Sequence, residues 1–99
     1  MNDLLEFLQS WYLEQCDGDW EHEFGIEISN LDNPGWIVTV DLTRTNIESA
    51  HFTEVRVERS ETDWYRCRVK DSVFDCVGGA NNLKEILEQF RSFATNSSK

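Results

Sequence analysis

The chain has 99 residues, of which 39% are hydrophobic, and this predicts one domain over residues 1–99 with a single core. Its formal net charge of −10 disfavours binding to nucleic acid or to an anionic membrane and favours a basic partner. No apolar stretch approaches the roughly 20 residues needed to cross a bilayer.

The first predicted element is a helix. Asp3 and Glu6 are spaced as a capping box at its start. Apolar residues follow at helical spacing and are expected to face the core, namely Leu4, Leu5, Leu8, Trp11 and Tyr12. The segment 16–19 then ends the helix, where Gly18 can adopt a positive φ.

Two strands with alternating apolar residues follow, at 24–30 and 36–42. The loop 31–35 between them contains Pro34 and Gly35, and we expect Gly35 to supply a positive φ. The predicted register pairs Ile26 with Val40 and Ile28 with Val38. A shift by one residue would bring an acidic side chain into the core, so the apolar pattern fixes this register.

A second hairpin is predicted from strands 52–59 and 63–70, with its turn at 60–62. The predicted register pairs Val55 with Cys67 and Val57 with Tyr65 as a buried set. On the opposite face, Glu54 is expected to lie across from Arg68. A short strand near 73–77, ended by two glycines, is expected to extend the sheet.

A final helix is predicted to begin after Asn81 or Asn82. Its inner stripe is expected to contain Leu83, Ile86, Leu87, Phe90, Phe93 and Ala94, and residues 95–99 are expected to form a frayed tail. The predicted fold is α+β, a two-layer sandwich. Its antiparallel sheet has four or five strands, and an N-terminal and a C-terminal helix are packed mainly on one face.

The negative charge is concentrated in the first 43 residues. They contain ten acidic residues and no Lys or Arg, whereas the remaining 56 residues carry nine acidic and nine basic groups and sum to zero. The whole net charge therefore belongs to the N-terminal half, which favours a positively charged partner there.

The cysteines and the N-terminus indicate a cytoplasmic protein. Cys16, Cys67 and Cys76 cannot all pair within one chain and form no Cys-x-x-Cys unit, which is typical of reduced thiols. The first residues lack the basic segment of a secretory signal, so we expect none.

The densest group of potential ligands lies in residues 16–23. Its alternating carboxylates resemble a calcium loop, but His22 occupies the position of the required glycine and Ile28 that of the required glutamate. A zinc site through Cys16 and His22 would need further ligands supplied by folding. We therefore expect no metal, no cofactor and no catalytic residues, and we interpret the segment as an acidic loop.

Aromatic residues indicate a possible second surface. Trp11 and Trp36 lie on core-facing stripes and are expected to be structural. Ile37, Phe52 and Trp64 are expected on the outward face of the sheet, where they would form a patch for a partner unless the final helix or the segment 43–51 covers them.

Several motifs resemble the immunity protein 53 family. The first block is Trp11-Tyr12, residues 15–22, Gly25-Ile26, residues 31–36 and Asp41-Leu42. A second, weaker block is Asp63-Trp64, Cys67, Gly78-Gly79 and the helix from Asn82 to Phe90. Together the blocks cover nearly the whole chain, from about Leu5 to Ala94.

The resemblance implies a small bacterial protein of a polymorphic-toxin system that binds a cognate toxin and blocks it. It names no catalytic residues and no toxin contacts. The charge distribution adds a hypothesis for the contact surface, with Trp20 as anchor and carboxylates that steer association: Asp17, Asp19, Glu21, Glu23, Asp32 and Asp41. A basic toxin, such as a nuclease, is the partner that this charge predicts.

Three alternatives stay open from the residues alone. The 17–23 loop could be purely structural, with Trp20 buried and the aspartates bonded to backbone amides. A small metal-binding or thiol enzyme could use residues 16–23. A homodimer could form through the outward sheet face.

Overall fold

The computed structural model describes residues 3–97. Helix α1 spans Leu4–Gln15, the one-turn helix α2 spans Trp20–Glu23, and helix α3 spans Leu83–Ser97. The strands are β1 (Ile26–Leu31), β2 (Gly35–Asp41), β3 (Val55–Glu58), β4 (Trp64–Lys70) and β5 (Val73–Gly79). They form one antiparallel sheet in the order β1-β2-β5-β4-β3. The predicted α+β class is confirmed.

Both predicted hairpin registers are confirmed. Ile26 lies opposite Val40 and Ile28 opposite Val38, and in the second hairpin Val55 lies opposite Cys67 and Val57 opposite Tyr65. The alternation of apolar and polar residues disfavours a register shifted by one residue, because such a shift exchanges the two faces. Strand β5 lies between the two hairpins at the centre of the sheet. It follows β4 through a tight turn at Asp71 and Ser72, both with positive φ.

The prediction that Gly35 supplies a positive φ is wrong. Among the described glycines, Gly18 has a positive φ of 90° as expected, and Gly35 does not. Gly35 is instead enclosed by the neighbouring strand, since a Cβ atom there would collide with the carbonyl oxygen of Gly78. A close approach between β2 and β5 therefore explains this glycine.

Helix α1 begins as predicted but turns a different stripe inward. The Asp3 side chain accepts a hydrogen bond from the backbone N–H of Leu5 at 3.1 Å. The residues packed in or against the core are Leu4, Phe7, Leu8 and Trp11. Leu5 and Tyr12 are exposed, which corrects the predicted stripe. The ring contacts of Phe7 and Trp11 with Phe90 of α3 set this orientation.

Helix α3 presents the predicted stripe to the sheet. Ile86, Leu87, Phe90, Phe93 and Ala94 are buried, and Leu83 packs against them. The helix extends to Ser97, so residues 95–97 are helical where fraying was expected, and 98–99 lie outside the described residues. Within residues 3–97, no helix has the length and apolar character to span a membrane.

Candidate partner-binding surface

The acidic loop between α1 and β1 is held by its own carboxylates. Asp17 accepts backbone hydrogen bonds from Asp19 at 3.0 Å and from Trp20 at 2.9 Å. Glu21 accepts from the backbone N–H groups of Asp17 and Gly18, each at 3.0 Å. The N–H of Trp20, followed by that of Asp19, lowers the pKa of the Asp17 carboxyl. Two of the predicted steering charges therefore also shape the loop.

Trp20 is a core residue, and its predicted role as an exposed anchor is wrong. Its side chain is 2% exposed and makes an edge-on contact with Trp11, with ring centroids 6.2 Å apart. The indole N–H donates to the carbonyl oxygen of Thr43 at 2.9 Å. The four acidic residues around Trp20 obscured this burial in the sequence. The signal for it was the aromatic residue Phe24 one helical turn later, which also packs against Trp20.

The remaining two carboxylates of the loop project into solvent beside a single guanidinium. The side chain of Asp19 is 79% exposed and lies 3.7 Å from Arg44, and that of Glu23 lies 3.3 Å from the same residue. The Arg44 guanidinium also lies 5.4 Å from the ring centroid of Phe24. Exposed ion pairs of this kind contribute about 0–1 kcal/mol, so Arg44 moderates the negative potential without strongly fixing these side chains.

Arg44 itself has an unusual backbone conformation. Its φ is 64°, in the left-handed region where Asn and Gly are most at ease. Its backbone N–H donates to the Glu48 side chain at 3.0 Å. The first basic residue of the chain is thus turned back towards the acidic segment, which charge counting alone did not reveal.

Asp41 lies near the loop, whereas Asp32 does not. Asp41 is half-buried at the end of β2 and accepts from the backbone N–H of Thr43 at 3.1 Å. Asp32 lies in the turn at the opposite end of the β1–β2 hairpin, six strand residues or about 20 Å away. The predicted set therefore divides into a cluster and one isolated carboxylate.

A shallow cleft of about 390 Å³ joins the cluster to the edge of the sheet. Its acidic lining is Glu23, Glu27 and Asp41, and Thr39 contributes a hydroxyl group. Glu27 was not among the predicted contact residues. Its place on an alternating strand, between the core-side residues Ile26 and Ile28 and opposite Thr39, was the signal that it faces the same side as Asp41.

Of the three residues predicted to form the second patch, Phe52 does not lie on the outer face of the sheet. Phe52 precedes β3, so strand alternation does not apply to it. It packs on the helix side against Phe74 and Phe93, with centroids 5.3 and 5.0 Å away. Ile37 and Trp64 are half-buried on the outer face, on strands separated by β5. Helix α3 packs on the inner face, as does the segment 43–51, whose Ile47 is buried in the core.

In the C-terminal half, acidic and basic groups are matched. Arg59 pairs with Asp63 at 2.9 Å and with Glu85 at 2.7 Å. The buried Asn82 donates to both carboxylates, and its side-chain oxygen accepts from the backbone N–H of Trp64. Arg59 and then Asn82 lower the pKa of Glu85, and Asn82 and then Arg59 lower that of Asp63. This network joins α3 to the β3–β4 hairpin.

The outer sheet face also carries local ion pairs. Arg68 bonds to Asp75 at 3.3 Å, and Arg56 bonds to Glu54 at 3.1 Å. The predicted pairing of Glu54 with Arg68 is therefore wrong. Glu54 precedes β3 and reaches along the chain rather than across it.

The three cysteines lie in two different environments. Cys16 donates from its thiol to the carbonyl oxygen of Tyr12 at 3.3 Å. Cys67 and Cys76 face each other across β4 and β5 in the core, where burial raises the pKa of the Cys76 thiol. In residues 3–97, no three His, Cys, Asp or Glu side chains are grouped so that they could hold a metal ion.

The comparison with protein families identifies the chain. The family model described as Immunity protein 53 matches residues 5–95. The chain belongs to the immunity protein 53 family. The match extends from the second residue of α1 almost to the end of α3 and so includes every strand of the sheet. No curated protein and no solved structure matches the chain.

Membership in the immunity protein 53 family suggests an immunity function and a non-enzymatic role. It also implies that a cognate toxin is the partner. The first block of the sequence resemblance coincides with α1, the acidic loop and the β1–β2 hairpin, which are the parts that carry the unmatched negative charge.

Proposed function

We propose that this protein binds a cognate toxin domain and neutralises it without catalysis, through an acidic surface in its N-terminal half. The surface consists of the exposed and half-buried carboxylates of the loop and the adjoining cleft: Asp17, Asp19, Glu21, Glu23, Glu27 and Asp41. Asp32, at the far end of the same hairpin, contributes only to the longer-range field. Membership in the immunity protein 53 family is the observation that carries this proposal.

The uneven distribution of charge supports this choice of surface. Residues 1–43 contribute all of the net charge, and within the loop Asp17 and Glu21 accept backbone hydrogen bonds while Asp19 and Glu23 project into solvent beside Arg44. Hydrogen-bonded carboxylates keep their charge, so the loop is both rigid and negative. Such a surface accelerates association with a basic protein and excludes acidic ones.

The sign of the charge also favours a class of toxin. An enzyme that acts on nucleic acid needs a basic groove, and a rigid acidic loop can occupy such a groove and block substrate. We therefore propose a basic toxin, of which a nuclease is the most natural case. We also propose that the encounter takes place in the cytoplasm, because thiols stay reduced there and an odd number of cysteines cannot all form disulfides within one chain.

Growth rescue tests the proposal. A toxin domain encoded by a neighbouring gene would be induced in cells that express this chain or the double variant Asp19→Lys/Glu23→Lys. We expect the native chain to restore growth and the double variant to lose most of its protection. These two side chains are exposed and accept no backbone hydrogen bond in the loop, which makes them cleaner targets than Asp17 or Glu21.

The matched control is Glu58→Lys/Glu61→Lys. It changes the net charge equally, on exposed residues at the end of β3 and in the turn that follows it. Protection should persist in this control. Equal loss in both double variants would show that total charge matters and that the location of the acidic surface is wrong, and no rescue by the native chain would overturn the proposed function itself.

A further inference from the structure

Strand β1 forms a free edge of the sheet. It pairs with β2 on one side, and no other described strand lies beyond it. The backbone N–H of Asp41 donates to the carbonyl oxygen of Gly25, which identifies that opposed pair as hydrogen-bonded. Bonded and non-bonded pairs alternate along an antiparallel ladder. The N–H and C=O groups of Ile26, Ile28 and Asn30 therefore point away from β2, in register for another strand.

The two sides of this edge differ in chemistry. On the outer face, Glu27 and Asp41 line the acidic cleft together with Glu23. On the helix side, an apolar groove of about 510 Å³ runs between α1 and the start of β1. Its lining includes Leu5, Leu8, Tyr12, Phe24 and Ile26.

Apolar side chains are exposed on the helix side of this edge. Leu5 is 59% exposed, and Tyr12 and Ile28 are each 39% exposed. Scattered apolar residues on a surface are ordinary, but these line or adjoin one groove beside unpaired backbone groups. The combination is that of a strand-acceptor site, where main-chain bonds supply affinity and alternate side-chain pockets supply specificity.

We propose that an extended segment of the cognate toxin pairs with β1 as a sixth strand. This inference rests on the proposed function and specifies its geometry. Successive side chains of a strand point to opposite faces. The segment that fits therefore alternates apolar residues, which enter the groove beside Ile28, with basic residues, which meet Glu27 and the cleft.

A second copy of this chain does not fit the same edge. Pairing β1 with β1 of another molecule would bring together two copies of the acidic cleft, each lined by Glu23, Glu27 and Asp41, from segments with no Lys or Arg before position 44. Like charges placed opposite one another destabilise a sheet pairing. The opposite edge also offers less, because β3 has four residues and carries charged side chains, Arg56 and Glu58, at its outward positions.

Ile28→Pro tests the proposal directly. Proline removes the outward N–H of residue 28 and leaves the hydrogen bonds to β2 in place, since proline is tolerated on an edge strand where its nitrogen faces solvent. Ile28→Ala removes the same side chain and keeps the N–H. With the toxin domain of the growth-rescue test as the probe, the dissociation constant should rise at least about tenfold more for Ile28→Pro than for Ile28→Ala.

Arg56→Pro is the matched backbone control, because residue 56 has the outward position on the other free edge. It should bind the toxin domain as the native chain does. Thermal unfolding of each variant alone would verify that the hairpins remain folded. If Ile28→Pro proves unfolded, Leu5→Ala in the groove and Leu13→Ala outside it, on the same helix, form the substitute pair. Of these two, only Leu5→Ala should weaken binding.

Amide hydrogen exchange provides a test without substitution. In the complex, the amides of Ile26, Ile28 and Asn30 should become protected at least tenfold, whereas that of Arg56 should not. Binding without protection at β1, or with equal affinity for Ile28→Pro and Ile28→Ala, would overturn strand addition and leave the proposed function standing. Absence of any binding would instead count against the proposed function.

Discussion

The two halves of this small protein use charge in opposite ways. In the C-terminal half, Arg59 joins Asp63 and Glu85, and Arg68 joins Asp75, so the charges neutralise one another and connect elements. In the N-terminal half, Asp17 and Glu21 bond to backbone N–H groups, which fixes the loop and leaves the negative charge unmatched. A carboxylate can therefore be structurally satisfied and still contribute fully to an external field.

Under the proposed function, charged residues serve stability in the C-terminal half and recognition in the N-terminal half of the same sheet. Ion pairing in the C-terminal half joins α3 to a hairpin, while the N-terminal hairpin has a free edge and an acidic cleft. Variants in each half test this division.

The largest expected effect comes from a tryptophan within the acidic half. Trp20→Ala should lower the free energy of unfolding by about 3–5 kcal/mol, because it removes a buried ring and its bond to Thr43. Trp64→Ala, on the half-buried outer face, should cost markedly less. Urea unfolding of both variants measures this. Equal losses would mean that the acidic loop is not anchored through Trp20.

The next effect concerns the network of the C-terminal half. Asn82→Ala should lower the free energy of unfolding by about 1–3 kcal/mol, since it leaves the backbone N–H of Trp64 without its acceptor. The neighbouring Asn81→Ala, at an exposed position, serves as the control. Toxin binding by folded Asn82→Ala should match that of the native chain, and a selective loss of affinity would place recognition in the wrong half.

A smaller effect is expected at Arg44, where a substitution should increase the rate of association with the toxin domain. Asn tolerates the left-handed backbone conformation at this position, and Arg44→Asn removes the cation that lies beside Asp19 and Glu23. Association with the toxin domain should become about two- to threefold faster at low salt, with stability nearly unchanged. Stopped-flow mixing measures the rate. Slower association would indicate that Arg44 contacts the toxin rather than moderating the field.

The smallest effect is a dependence of stability on pH. The pKa values of Asp17, Asp63 and Glu85 are lowered in the folded protein, so their contributions are complete above the unfolded values, near 3.8 to 4.5. These contributions are lost as the pH falls through the folded values, because the unfolded chain then binds more protons. The melting temperature should therefore decline on acidification below about pH 4.5.

Asp17→Asn and Glu85→Gln distinguish the two halves in that titration. Each variant should show a shallower decline than the native chain. Salt at 1 M should reduce the difference made by Glu85→Gln more than that made by Asp17→Asn, because Glu85 faces a charge and Asp17 faces backbone N–H groups. Identical responses to salt would remove the distinction between the two kinds of carboxylate.

Local periodicity predicted much of the sheet, because a one-residue slip along either hairpin exposes the core face. It could not supply the central position of β5, since strand order depends on pairings between distant segments. It also failed at Phe52, where alternation was extended past the true start of β3. On α1, the predicted stripe combined residues from two adjacent faces of the helix. The contact of Phe7 with Phe90 of α3 determines which face is turned inward.

The sequence predicted that negative charge is concentrated in the N-terminal half, but it did not predict how the carboxylates are arranged in space. Sequence counting located the carboxylates and could not reveal that Arg44 turns back among them or that Asp32 lies at the far end of the hairpin. The burial of Trp20 involves ring contacts with Trp11 and Tyr12 of α1, for which the nearby Phe24 was the only local signal. Glu27 was missed because its importance comes from its position on a free edge.

The salt dependence of association distinguishes an acidic recognition surface in the N-terminal half from an effect of total charge. Association of the toxin domain with the native chain, Asp19→Lys/Glu23→Lys and Glu58→Lys/Glu61→Lys would be timed between 20 and 300 mM NaCl. We expect the rate for the native chain to fall steeply with salt, the first variant to be roughly tenfold slower at low salt with a shallower slope, and the second to resemble the native chain. Three parallel slopes would contradict an acidic recognition surface in the N-terminal half.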